Sequence, residues 1–170
     1  MPDTQAADRA LLVDAARTAG ELAASLFDRN VRSWDKSPGN PVSDADIAVD
    51  SFLKRRLIEA RPDYGWLSEE TADDAARRDR RRVWVVDPID GTRDFLRGRS
   101  GWAVSIALAG HSSSLALRCH LGKNCATCGP SDFKAWQPSM WPGLSLTSPR
   151  RSSHIAWMAA EEVQRFGIPP

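Results

Sequence analysis

The sequence lacks any apolar run of the roughly 20 residues needed to cross a bilayer. It also lacks an excess of charge of one sign, because the formal net charge is +1, and this gives no argument for binding nucleic acid or an anionic membrane. Its first residues show neither the basic nor the apolar segment of a signal peptide. The three cysteines are too few, and odd in number, for a secreted disulfide framework. These absences predict a cytoplasmic protein that binds neither a nucleic acid polymer nor a membrane.

The composition is typical of a globular protein, but the chain changes character along its length. With 42% hydrophobic and 26% charged residues, 170 residues are enough to bury the core of one domain. After about residue 110 the apolar patterning stops, and every cysteine and histidine follows. We therefore predict a folded N-terminal region over residues 1–110 and an atypical tail over residues 111–170, which is either frameshifted or disordered.

Two amphipathic helices are predicted in the first 60 residues. Over residues 6–28 the apolar side chains recur at steps of three and four and form one stripe: Leu12, Ala15, Ala19, Leu22 and Leu26. A second helix is expected from Ser43, a natural N-cap with Asp46 three residues on, to about Ala60. Residues 30–42 are polar and contain proline and glycine, which predicts a loop.

Three apolar runs of strand length follow the helices. They span residues 64–67, 83–86 and 102–108. A charged connector over residues 72–82 separates the first two runs and is expected to be a solvated loop. Two helices followed by several strands predict a layered α+β fold with a mainly antiparallel sheet.

Carboxylates come directly after two of these predicted strands. Glu69 and Glu70 follow the first strand, whereas Asp87 follows the second and Asp90 comes three residues later. Pro88 is expected to end the second strand and to begin a tight turn. Acidic pairs are common on surfaces, and Asp-Pro-x-Asp-Gly is also an ordinary turn sequence. The occurrence of both elements after apolar runs favours a metal site over these plain readings.

The residues beside the carboxylates are of types that phosphate chemistry uses. Hydrolysis of a phosphate monoester requires neutralised phosphate oxygens, an activated water and a stabilised leaving oxygen, and Mg²⁺ held by carboxylates supplies all three. The Ile89 carbonyl adds a hard oxygen ligand. Gly91 allows close approach of a phosphate, and Thr92 offers a hydroxyl and an N–H at a predicted helix start. Lys36, in the polar loop, is expected to remain solvated.

Four segments resemble motifs of the inositol monophosphatase superfamily, which includes inositol monophosphatases, bisphosphate nucleotidases and fructose-1,6-bisphosphatases. Trp84–Phe95 resembles its first metal-binding motif. Residues 66–71 resemble its Gly-Glu-Glu-Ser element, with Ser68 in place of the usual glycine. Residues 42–46 resemble its Val-Thr-x-x-Asp element, and residues 101–107 fit the strand after the metal motif. The resemblance implies the N-terminal portion of a sugar-phosphatase-type fold.

The resemblance also implies a magnesium site made by matched residues of this chain. The implied ligands are all oxygens: the carboxylates of Glu69, Asp87 and Asp90 and the carbonyl of Ile89. Glu70 would support these ligands without binding the metal itself.

The catalytic roles that the resemblance implies fall on three residues. Asp46 and Thr92 would orient and activate the attacking water, and Gly91 and Thr92 would bind phosphate through backbone N–H groups. Asp46 also has a plain role as the capping-box partner of Ser43, and both roles are compatible. The implied reaction is Mg²⁺-dependent hydrolysis of a small phosphate monoester, an inositol monophosphate or a similar polyol phosphate, by metal-activated water. The alternative substrate is 3′-phosphoadenosine 5′-phosphate, and a homodimer is compatible with either.

One element of the superfamily has no counterpart in this sequence. Members carry a Trp-Asp-x-Ala-Ala element whose Asp completes the metal site, and the nearest run here, Asp132–Trp136, does not match it. A second interpretation is therefore a truncated, catalytically inactive remnant. A third is a zinc-binding module in the tail, where Cys125 and Cys128 form a CxxC, but the second paired element of a zinc signature is absent from the sequence.

Overall fold

Two long helices pack against one face of a four-stranded sheet in the computed structural model, and a two-stranded hairpin lies between them in the chain. The structure describes residues 4–27 and 29–110, together with the backbone of residues 115–119. Most of the predicted tail, including its CxxC, lies outside the described residues, so the boundary at residue 110 stays a prediction. Among the described helices, none combines the length and the apolar character that a membrane span requires.

Both predicted helices are confirmed. Helix α1 spans Thr4–Leu26, and its buried stripe is rich in alanine, whose small side chain lets the helix lie close to its neighbours. Helix α2 spans Asp44–Ala60 and begins with a complete capping box, in which Ser43 and Asp46 each satisfy a backbone N–H of the other. The Arg61–Pro62 sequence follows its last residue, as the steric restriction before proline requires.

The polar segment between the helices is a β-hairpin, so the prediction of a loop over residues 30–42 was wrong. Strand β1 spans Ser33–Ser37 and pairs antiparallel with β2, Asn40–Ser43. All five residues of β1 are exposed, so no alternation of apolar residues marks the strand in the sequence. Gly39 makes the turn with a φ of 74°.

The main sheet has the strand order β3-β4-β5-β6. Its strands are β3 (Gly65–Ser68), β4 (Arg82–Asp90), β5 (Ala103–Gly110) and β6 (Leu115–Cys119). The pairing of β3 with β4 is parallel and the other two pairings are antiparallel, which confirms the layered α+β fold with a mainly antiparallel sheet. The charged connector contains a 3₁₀ turn over Ala75–Asp79, and helix α3 spans Thr92–Leu96.

Strand β4 continues through Pro88, which was expected to end it. The register against β5 shifts between Asp87, opposite Ser105, and Asp90, opposite Ala103, so β4 carries one extra residue there. A β-bulge of this kind leaves a backbone N–H out of the ladder, and a proline, which has none, is tolerated at such a place. The bulge changes the direction of the strand between Asp87 and Asp90, and with it the direction of their side chains.

The core lies between the two helices and the sheet. Trp84 and Trp102 are its largest fully buried side chains, and Phe27 and Phe95 stack against Trp102 with ring centroids 5.4 and 5.0 Å away. These aromatic contacts fix α3, and with it the segment after Asp90, against the end of α1.

A buried ionic cluster ties α1 to the amino ends of β3 and β4. Asp8 is 0% exposed and accepts hydrogen bonds from Arg61 (2.7 Å), Tyr64 (2.8 Å) and Arg82. The guanidinium of Arg82 also donates to the Tyr64 hydroxyl, at 2.9 Å. Burial and the hydrogen bond to Asp8 raise the pKa of Tyr64. Both Asp8 oxygens are therefore matched by cationic or hydroxyl donors.

Candidate functional site

The parallel pairing of β3 and β4 places the two acidic elements side by side. Ser68 pairs with Val86, and the Glu69 N–H continues the ladder with a 3.2 Å hydrogen bond to the Val86 carbonyl. Because parallel strands end at the same edge, Glu69 and Asp87 emerge as neighbours, although the charged connector separates them in sequence. The predicted metal ligands of the two elements are thus brought to one edge of the sheet.

Asp87 is the electrostatic centre of this edge. It is 2% exposed, and its Oδ2 atom is buried with no hydrogen-bond partner among the described residues. Burial raises the pKa of Asp87 well above its ordinary value, and the charges of surrounding acids raise it further: Glu69, Asp90, Asp46 and Glu70. A buried carboxylate surrounded by like charges is destabilised in its ionised form, which is the form that binds a cation.

Lys36 is an exposed residue of β1, as expected for a solvated side chain, but its amine also contacts two acids of this group. Its Nζ lies 2.9 Å from Glu70 Oε1 and 3.5 Å from Glu69 Oε1, and its side chain is 28% exposed. Burial disfavours the charged amine, but the hydrogen bond to Glu70 and the two negative charges outweigh it and raise the pKa of Lys36. Burial raises the pKa of Glu70 although Lys36 opposes the shift. The β1–β2 hairpin thus contributes one cation to an otherwise acidic site.

Asp46 and Thr92 are hydrogen-bonded to each other. The Thr92 hydroxyl lies 3.0 Å from Asp46 Oδ1 and 3.0 Å from the Ile89 carbonyl, while Asp46 Oδ2 accepts from the N–H and hydroxyl of Ser43 at 2.8 and 2.5 Å. Burial raises the pKa of Asp46, and its hydrogen bonds from Ser43 and Thr92 oppose the shift. One carboxylate therefore caps α2 with one oxygen and contacts Thr92 with the other.

Gly91 is the residue through which β4 turns into α3. Its φ is 98°, a backbone conformation that residues with a side chain rarely adopt. A Cβ atom at this position would also lie 2.6 Å from the Gly101 carbonyl oxygen and 3.2 Å from Trp102 Cα. In the described structure, the backbone that comes close to Gly91 is therefore the segment just before β5. Glycine is required here whether or not a phosphate binds.

Two further polar residues of this region were missed in the sequence. Ser105 lies opposite Asp87 in the β4–β5 ladder, is 0% exposed, and its hydroxyl has no partner among the described residues. Asp50 is buried on α2 and contacts residues beside Glu69. A signal for Asp50 existed, because it lies four residues after Asp46 on the apolar face of a helix, where an acid needs a polar partner. Lys36 and Ser105 have no such local signal.

The chemistry of these donors matches a hard divalent cation. The acidic side chains supply only oxygen ligands and leave an excess of negative charge, and Asp87 Oδ2 lacks a partner. Within the ranges that the structure describes, no three acidic, histidine or cysteine side chains are already arranged to hold a metal ion. The donor types fit magnesium.

Comparison with known proteins agrees with this arrangement. The model of the inositol monophosphatase family matches residues 5–115. The chain is 42% identical over 102 residues to the 3′-phosphoadenosine 5′-phosphate phosphatase of Mycobacterium leprae (59% of this chain, 36% of that protein). It is 37% identical over 100 residues to the inositol-1-monophosphatase of Rhizobium meliloti (58% of this chain, 37% of that protein).

A solved structure gives the same result for the fold. The extragenic suppressor protein suhB of Bartonella henselae superposes with a TM-score of 0.59 at 32% identity, over 65% of this chain and 44% of that one. The chain spans little more than a third of the length of these two curated relatives. With the family model covering well over half of its residues, the chain belongs to the inositol monophosphatase family.

Proposed function

We propose that this chain carries the site of a Mg²⁺-dependent phosphoric monoester hydrolase acting on a small molecule. The observation that carries the proposal is Asp87, a buried carboxylate surrounded by four other acids and with one oxygen that has no partner among the described residues. Such a group costs stability unless a cation neutralises it. Among the described residues, Lys36 is the cation that contacts this group, and it reaches Glu69 and Glu70 at the rim.

Magnesium would be held by the carboxylates of Glu69, Asp87 and Asp90 and by the Ile89 carbonyl. Bound there, it would neutralise phosphate oxygens and lower the pKa of a coordinated water. Glu70, hydrogen-bonded to Lys36, would keep that lysine at the rim and away from Asp87.

Asp46 and Thr92 would act on the attacking water. The Thr92 hydroxyl points its proton toward an acceptor, either Asp46 Oδ1 or the Ile89 carbonyl, which leaves lone pairs on Oγ1 to accept a hydrogen bond from water. As the water oxygen forms its bond to phosphorus, the water proton would move toward the Thr92–Asp46 pair. The bond to the ester oxygen would break at the same time, and this oxygen would leave as the alcohol after taking up a proton from solvent. The pKa of Asp46 is raised by burial, so this carboxylate takes up a proton more readily than an exposed aspartate. The backbone N–H groups of Gly91 and Thr92 would bind the phosphate.

For the substrate we infer an inositol monophosphate or a similar polyol phosphate, supported by the matching family model. The second candidate is 3′-phosphoadenosine 5′-phosphate, supported by the 42% identity to the Mycobacterium leprae phosphatase. Both substrates present a monoester phosphate to the same acidic edge. They differ in the molecule to which the phosphate is attached, and the described residues do not distinguish between the two.

Phosphate release from the two substrates tests the proposal. We would measure release from inositol 1-phosphate and from 3′-phosphoadenosine 5′-phosphate, with Mg²⁺ and with EDTA. Asp87→Asn removes one central charge at constant size, and Asp14→Asn is the matched control, because Asp14 is a surface acid on α1 paired with Arg56. The proposal expects Mg²⁺-dependent release that falls at least about a hundredfold in Asp87→Asn and is unchanged in Asp14→Asn.

The outcome also separates the enzyme from the inactive remnant. Folded protein that binds Mg²⁺ but releases no phosphate from either substrate would support the remnant. Release that persists in EDTA would contradict the magnesium site, and release that survives Asp87→Asn would contradict the role of this carboxylate.

A further inference from the structure

The acidic pair Glu69–Glu70 is flanked by two hydroxyl residues that share one buried carboxylate. Asp50, on α2, is 6% exposed. Its Oδ1 accepts a short hydrogen bond from the Ser68 hydroxyl, and its Oδ2 accepts from the Thr71 hydroxyl at 2.6 Å. The residues immediately before and after the acidic pair are thus fastened to the same side chain of a neighbouring helix.

The contact extends from Ser68 to the backbone of the acidic pair. The Ser68 hydroxyl has one proton, and because this proton goes to Asp50, the oxygen lone pairs are left to accept. The Glu70 N–H donates to that oxygen at 3.2 Å. A chain of two hydrogen bonds therefore runs from Asp50 through Ser68 to the amide of Glu70.

We propose that Asp50 is a positioning residue for Glu69 and Glu70, acting through Ser68 and Thr71. Beyond Ser68 the sheet gives this segment one backbone hydrogen bond, from the Glu69 N–H to the Val86 carbonyl. Like charges at Glu69, Glu70 and Asp87 push the segment away from the sheet edge. The Asp50 contacts oppose that repulsion, because they hold both ends of the acidic pair to α2.

Asp50 also links this segment to the residues that act on water. It lies one helical turn after Asp46 on α2, so one buried helix face holds Asp46 near Thr92 and holds Glu69–Glu70 near Asp87. Ser68 stands where the resembling motif has glycine, and a glycine has no side chain to make the bridge. The inference that this arrangement sets metal affinity rests on the proposed function, whereas the holding of the backbone does not.

Amide hydrogen exchange in metal-free protein tests the holding directly. Asp50→Asn keeps the size of the side chain but leaves a single acceptor oxygen for two hydroxyl protons. We expect the amides of Glu69 and Glu70 to exchange at least about tenfold faster in this variant. Val49→Ala is the matched control, because Val49 is the buried neighbour on the same helix and makes no hydrogen bond with its side chain. It should leave these two amides close to wild type once global stability is accounted for.

Two milder variants cover the case in which Asp50→Asn does not fold. Ser68→Ala removes the bridge to the Glu70 amide, and Thr71→Val removes the other hydrogen bond at nearly constant shape. Each should accelerate exchange in the acidic pair less than Asp50→Asn does. Unchanged exchange in both would overturn the proposal, as would an equal acceleration in Val49→Ala.

Mg²⁺ titration calorimetry on the same proteins then separates the positioning of the acidic pair from its effect on metal affinity. Loss of an outer partner of a metal ligand typically costs at least about tenfold in affinity, and we expect that for Asp50→Asn and not for Val49→Ala. If wild type itself binds no Mg²⁺ while exchange still depends on Asp50, the proposed function fails and the positioning stands. If Mg²⁺ binds equally well to all variants, the inference that Asp50 sets metal affinity is wrong, and the positioning of the backbone is decided by the exchange experiment alone.

Discussion

Two buried carboxylate clusters lie at opposite ends of β4 and are built in opposite ways. At the amino end, Asp8 is fully buried, and Arg61, Tyr64 and Arg82 surround it with donors. At the carboxyl end, Asp87 is nearly as buried but is surrounded by other acids. The same chemical group is therefore neutralised in one place and left with excess charge in the other.

The difference separates a structural role from a functional one. A compensated carboxylate is satisfied by the protein itself and needs nothing from solution. An uncompensated one is kept at a cost in stability, and perturbed groups of that kind concentrate at functional sites. The comparison favours the acidic end of β4 as the proposed ligand site, and variants that disturb one cluster at a time test it.

The largest effect is expected from the compensated cluster. Asp8→Asn should lower the free energy of unfolding by about 3 kcal/mol, because it leaves two guanidinium groups without their buried partner. The arginine side chains are about a quarter exposed and turn partly to solvent, which keeps the loss at the low end of the range for buried pairs. Urea unfolding measures the change. A loss of Mg²⁺ affinity in this variant would show that the two clusters are not independent.

The next effect belongs to the acidic cluster and to magnesium. At a Mg²⁺ concentration of 100 times its dissociation constant, the free energy of unfolding should rise by about 2.7 kcal/mol. Thermal unfolding with increasing Mg²⁺ measures this gain. Asp87→Asn should lose most of it and Asp14→Asn should keep it. Equal stabilisation of all three proteins would place the ion elsewhere.

A smaller effect is expected from pH in the absence of metal. The pKa of Asp87 is raised in the folded state, so the folded protein binds a proton more tightly than the unfolded chain, and its stability should fall as pH rises above the ordinary value of 3.8. The raised pKa values of Asp46 and Glu70 act in the same direction. Asp87→Asn should flatten this slope and raise the free energy of unfolding at neutral pH with EDTA, because it removes a buried charge that its neighbours repel. Urea unfolding across pH provides the measurement. If the free energy of unfolding depended on pH equally in Asp87→Asn and wild type, Asp87 would not be the source of the pH dependence.

The smallest effect is expected from Lys36, which contacts two acids of the acidic cluster. Lys36→Met removes a cation that competes for Glu69 and Glu70, so Mg²⁺ binding should tighten by about twofold to fivefold. Titration calorimetry resolves such a change. Arg32→Met is the control, because Arg32 is a cation just before the same hairpin and pairs instead with Asp44. Weaker binding in Lys36→Met would mean that the lysine assists the site instead of competing with magnesium.

The sequence predicted those parts of the fold that depend on local patterns. Apolar periodicity and a capping signal identified α1 and α2, and continuous apolar runs identified β3, β4 and β5. The hairpin was missed because its first strand is wholly exposed and carries no pattern of burial. The extension of β4 through Pro88 was missed because a bulge depends on the partner strand.

The site divides in the same way. Carboxylates placed directly after apolar runs were predicted together as Glu69, Glu70, Asp87 and Asp90, and the parallel pairing places the two elements at one edge. Their roles as ligands stay predictions. Lys36 and Ser105 reach the site through the hairpin and through β5, and no spacing in the sequence records such a contact. The Asp8 cluster was likewise missed, because its members come from three segments that are far apart in the sequence.

The parallel pairing of β3 with β4 also bears on how the acidic site forms during folding. The capping box of α2 joins residues three apart and forms as early as a helix forms. Glu69 and Asp87 meet only after the intervening connector has looped back and β4 has aligned beside β3. This is a slower event, because the entropy cost of closing the loop comes before the stabilising contacts form. We therefore expect the like-charged centre to form after the capping box of α2. A chain in which only α2 has formed does not yet bring Glu69 beside Asp87, so it does not yet bear the repulsion between these two acids.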